Sequence, residues 1–114
     1  MTETEFVNHI YAEMIEYNAY YIQSLQNLKP ENIKDPDWKN IKNLYDRLDA
    51  KQRLQLELFM KIISANTIAG IFAKLDNISA FANQSGWFEL YSDGKKISDN
   101  LLDLFWEKIE TDNT

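Results

Sequence analysis

Glu5, His9 and Glu13 are the first residues to test for chemistry, because an imidazole between carboxylates can bind a transition metal or move a proton. Their spacing argues against one ion held by all three. On a helix Glu5 and Glu13 stand about 12 Å apart along the axis. An i,i+4 pair needs a further ligand from elsewhere, and His9 is the only histidine. On a helical projection His9 falls on the polar side with Glu5, Glu13 and Glu16, where a catalytic base would lack shelter. The chain has no cysteine, which removes thiolate nucleophiles, zinc–thiolate sites and disulfides together. Gly70, Gly86 and Gly94 are scattered, so no glycine-rich phosphate loop exists. The residues therefore imply no catalytic set, no metal and no cofactor, and a non-enzymatic protein is expected. An enzyme of this composition would need two of its eighteen acids to converge in a cleft, one with a raised pKa.

The carboxylates point to recognition instead. Asp99, Asp103 and Glu107 follow one another at i, i+4 and i+8, with Glu110 close to the same line and Trp106 at its edge. Like charges at this spacing cost a helix a few tenths of a kcal/mol each. A basic partner would gain attraction and faster encounter from them, and tryptophan is a strong interface anchor. Glu16 and Tyr20, with Glu13 and Tyr17, make a second polar and aromatic patch on the first helix. Trp87, with Glu89 and Tyr91, makes a third on the outer face of an expected hairpin.

These residues must be positioned by helices. Apolar residues at helical spacing from Phe6 to Leu28 predict a first helix over about 3–28, with Thr2 and Glu5 at capping-box spacing and Pro30 as the stop. Asp35 and Pro36 predict the start of a second helix carrying Trp38, Ile41, Leu44, Tyr45 and Leu48. Asp49 and Gln52 form another capping box, opening a third helix from about Ala50 to Leu75. Its apolar residues point nearly all round, which predicts a buried, central helix. Asn77 to Gly86 reads as irregular. Trp87 to Ile97 then reads as a hairpin turning at Asp93-Gly94, with Phe88 and Leu90 packing inward. Ser98 is the expected cap of a last helix running from Asp99 to about Glu110. The expected fold is mainly α: a compact bundle of about four helices around a long buried third helix, with one small β-hairpin near 87–97 before the last helix. The 114 residues are read as one domain.

Eighteen acidic and twelve basic residues give a net charge of −6, which disfavours nucleic acid as a partner. The excess lies at the two ends. Residues 1–28 carry −4, residues 29–61 carry +2 and residues 62–114 carry −4. The basic middle (Lys39, Lys42, Arg47, Lys51, Arg53) offers a route to self-association, with acidic ends of one copy on the middle of another. Glu3 and Glu5 stand where a secretory leader would be basic. No stretch approaches 18 uninterrupted apolar residues, so no membrane association and a cytoplasmic location are expected. Richness in Ile, Asn and Lys suits an AT-rich bacterial genome. The leading expectation is a protein-binding domain with a basic protein partner. Its concrete form is a bacterial immunity protein that neutralises a nuclease-like toxin. The alternative is a homodimeric or larger structural or regulatory domain.

Overall fold

The structure is a computed structural model that describes residues 1–112. In chain order it contains α1 (Glu3–Asn27), a short 3-10 turn (Pro30–Asn32), α2 (Pro36–Arg47), α3 (Ala50–Leu75), β1 (Tyr91–Ser92), β2 (Lys95–Lys96) and α4 (Leu101–Asp112). The described residues are thus mainly helical, with four helices and a two-stranded antiparallel hairpin before the last. Contacts group the chain into two compact units. One comprises residues 1–14 and 64–114, the other residues 15–63.

The first unit holds a core of Val7, Tyr11 and Met14 from α1, Ala65, Ala69 and Phe72 from α3, and Leu101, Phe105 and Ile109 from α4. Phe105 is fully buried, and its ring meets Phe72 edge-on at 5.5 Å and Tyr11 at 6.3 Å. Such edge-to-face pairs add to simple area burial. At the chain start the Thr2 hydroxyl accepts the Glu5 amide at 3.1 Å, which is half of the predicted capping box. α3 ends in a Schellman motif. Asn77 takes the left-handed conformation (φ 61°), and the Ile78 amide reaches back to the Ala73 carbonyl at 2.9 Å.

Two local expectations change here. Ser98 does not cap α4. Its hydroxyl is buried and accepts the Leu90 amide at 3.2 Å. The helix instead begins at Leu101, and its free amides are served from a distance. The buried Asp76 carboxylate accepts the Asp99 and Leu102 amides, both at 2.8 Å, and Glu3 accepts the Asn100 amide at 3.1 Å. Two carboxylates thereby sit at the positive end of the helix dipole. The hairpin is also shorter than expected. Asp93 and Gly94 both have positive φ (49° and 78°), as a type I′ turn requires, but the ladder pairs only Tyr91 with Lys96 and Ser92 with Lys95. The reason is local. The Asn77 side chain takes the place of a strand opposite Phe88, accepting its amide and donating to its carbonyl, each at 2.9 Å. Leu90 packs on the core, whereas Phe88 sets its ring edge-on against Phe81.

In the second unit the predicted helix starts are present. Asp35 accepts the Asp37 and Trp38 amides, with Pro36 in the first turn of α2. Asp49 and Gln52 form a reciprocal capping box at 3.0 and 2.8 Å. Lys42 is buried. Its ammonium donates to the Leu25 carbonyl, one of the orphan acceptors at the end of α1, and pairs with Asp46 at 2.9 Å. Arg53 donates to the Tyr45 carbonyl and lies over the Tyr45 ring at 4.3 Å. With Arg47 donating to the Asn43 carbonyl at 3.3 Å, three of the five cations of the basic middle are directed at backbone carbonyls.

The third helix is present over its predicted length, but it is not buried all round. Its buried residues are Ala65, Ala69 and Phe72, whereas Leu54, Leu58, Phe59, Ile62, Ile63 and Ile71 are exposed. Helix length explains part of this. At 100° per residue, Leu54, Leu58 and Ile62 continue the face of Ala65, Ala69 and Phe72. α4, which packs on that face in the first unit, is only about 18 Å long against about 39 Å for α3. By length and composition α3 could also cross a membrane, with 17% of its apolar window buried.

Tyr11 offers a check on the core. Burial, then the neighbouring Asp112 carboxylate, pushes its hydroxyl pKa above the ordinary tyrosine value. The neutral form is the one favoured by the fold. Its stabilising contribution is therefore full below pH about 10 and is lost as the pH rises through the raised value. The difference between near-ultraviolet absorbance titrations of wild type and Tyr11→Phe should show one phenol ionising above pH about 10. A phenol that titrates at or below that point would contradict this placement.

Candidate interaction surface

α4 carries the first surface. Asp103, Glu107 and Glu110 fall within about 60° of one another around the helix, and Trp106 lies next to them. The three acids are exposed, and among the described residues no cation pairs with them. Trp106 is half-buried and leans on the Phe105 ring at 6.0 Å, so the core fixes its position while one side faces solvent. Beside the ridge, Thr4, Asn8, Leu104, Glu107, Lys108 and Thr111 line a cleft of about 140 Å³.

Asp99 does not belong to this ridge. It precedes the helix with φ 96°, where its amide is held by Asp76. Its carboxylate pairs with Lys96 at 2.9 Å, and that hydrogen bond holds the Lys96 ammonium pKa above its ordinary value. The expected i, i+4, i+8 series fails because it assumed that Ser98 starts the helix. Glu110 takes the place of Asp99.

The other expected residues lie elsewhere. Trp87 is 77% exposed, in the segment before the hairpin. Near it, the Tyr91 hydroxyl donates to Glu89 at 2.7 Å, which raises the Tyr91 pKa. Glu16 and Tyr20 belong to the second unit and are exposed. Tyr20 is part of a larger aromatic cluster. Tyr17 and Tyr20 both contact Tyr21, and Tyr21 contacts Trp38 at 5.6 Å. Tyr20, Tyr21 and Trp38, with Leu28, Ile33 and Asp35, line a groove of about 370 Å³. Sequence reasoning assigned Tyr21 and Trp38 to apolar helix faces and missed their pairing. Their position on either side of the Pro30 turn was the available signal. His9, Glu5 and Glu13 are exposed along α1, and the described residues contain no group of three potential metal ligands.

A further groove, also of about 370 Å³, is lined in the second unit by Ile15, Ala19 and Ile22 of α1 and by Glu57, Met60 and Lys61 of α3. These three concavities each hold a single carboxylate (Glu107, Asp35, Glu57).

The units also divide the charge. The first holds eleven acidic and four basic side chains, net −7, and the second holds seven acidic and eight basic, net +1. No protein-family model matches the chain, and no curated protein or solved structure is significantly similar to it.

Proposed function

We propose that this chain is a cytosolic, non-enzymatic protein-binding domain that docks a basic partner on its acidic first unit. The observation that carries the reading is the segregation of charge, −7 against +1, together with the unpaired Asp103–Glu107–Glu110 ridge beside Trp106. Unneutralised carboxylates on a short helix cost stability in the free protein. They return it when a cationic surface covers them, and they accelerate the encounter. Trp106, already fixed by the core, would add an anchor with little ordering cost. In its most concrete form the partner is a nuclease-like toxin. An enzyme that grips phosphate is basic at that surface, and an acidic plug would block it.

The test is a binding measurement on a partner captured with the native protein, products of adjacent genes first. Asp103→Lys with Glu107→Lys is expected to slow association tenfold or more, and the wild-type on-rate should fall steeply with added salt. Asp99→Lys, outside the ridge, should change it far less. Binding that ignores both salt and the double reversal would sink this proposal.

A further inference from the structure

The second unit is short of core. Among its large hydrophobic side chains only Leu25 and Tyr45 are buried. Leu54, Leu58, Phe59 and Ile63 on α3 are 65, 59, 58 and 50% exposed, and Ile62 is exposed beside them. The unit contains no cysteine, so no disulfide reinforces this thin core, and association is one way to complete it.

We infer that two copies of this chain associate through the 54–63 face of α3, packing helix against helix about a twofold axis. Area supports a second copy. The five side chains expose roughly 500 Å² on each copy, at the upper end of what a monomer leaves uncovered. Complete coverage of both faces would bury about 1,000 Å², the threshold of a specific interface. Charge supports it too. At +1, the unit meets its own copy with little repulsion, whereas the −7 unit would resist a like approach. A twofold contact also needs a self-complementary patch. Around the helix Leu54, Leu58 and Ile62 fall within about 80°, and Phe59 and Ile63 extend the patch by about 100° more, so the contact is a broad one with Leu58, Ile62 and Phe59 at its centre. The association is independent of the acidic ridge.

Sedimentation velocity at tens of micromolar should give a mass near 27 kDa, twice the 13.4 kDa chain. Leu58→Glu with Ile63→Glu should return it to one chain mass with helical circular dichroism retained. Because the protein lacks cysteine, Leu58→Cys supplies a conservative second probe and should form an intermolecular disulfide under mild oxidation. A wild-type monomer would overturn the inference. So would a dimer that survives the double glutamate variant, or a Leu58→Cys protein that fails to cross-link. A wild-type monomer that floats with phosphatidylcholine vesicles would assign the face to lipid instead.

Discussion

Phe105→Ala is expected to destabilise the protein by about 3–5 kcal/mol and to lower Tm by about 10–20 °C in a thermal melt followed by circular dichroism. Phe105 has no exposed surface and its ring touches Phe72, Tyr11 and Trp106, so it joins side chains of α1, α3 and α4. Truncation would leave a cavity that three helices cannot close together. Against an ordinary stability of about 5–15 kcal/mol, the loss would threaten the whole first unit. Phe105→Leu, which refills most of the space, should cost about 1.5 kcal/mol or less. If alanine and leucine behave alike, the ring is not the hub of this core.

Asp76→Ala should be the most damaging polar substitution, by about 2–3 kcal/mol. Its two oxygens accept the Asp99 and Leu102 amides, one each. Removing the carboxylate leaves two amides without an acceptor near the core and takes a negative charge from the start of α4. Amide hydrogen exchange at Asp99 and Leu102 should accelerate, and the melt should shift down by several degrees. Asp76→Asn keeps one acceptor oxygen and should fall between wild type and alanine. Ser98→Ala, which loses only the bond from Leu90, should cost less than Asp76→Ala. The reverse order would restore Ser98 as the decisive group at this helix start.

The contrast between Asp76 and Ser98 shows what a sequence conveys. Local signals were legible where the partners are neighbours. Asp35 with Pro36, Asp49 with Gln52 and Asp93 with Gly94 each lie within three residues, and each structure forms as the chemistry requires. Asp76 serves amides 23 and 26 residues away, which no local pattern encodes. The same limit explains α3. Periodicity reveals that a helix is apolar all round, but not whether another element reaches far enough to cover it. α4 does not, and Leu54 and Leu58 stay exposed. In the candidate surface, Asp103, Glu107 and Trp106 were legible because they lie inside a helix whose phase was right. Asp99 was lost with the two-residue error in where that helix begins.

The first unit is assembled from both ends of the chain, and this sets a schedule. During synthesis Val7, Tyr11 and Met14 emerge early, yet Leu101, Phe105 and Ile109, against which they pack, are made last. The ribosome needs about 5–20 seconds to add the intervening stretch of roughly 90 residues. Once α3 is made, α1 can meet Ala65, Ala69 and Phe72, but the α4 side of the core stays open until the last residues are added. Premature termination before Leu101 would not trim a tail from a finished protein. It would release a chain whose core lacks Leu101, Phe105 and Ile109, one of its three sides.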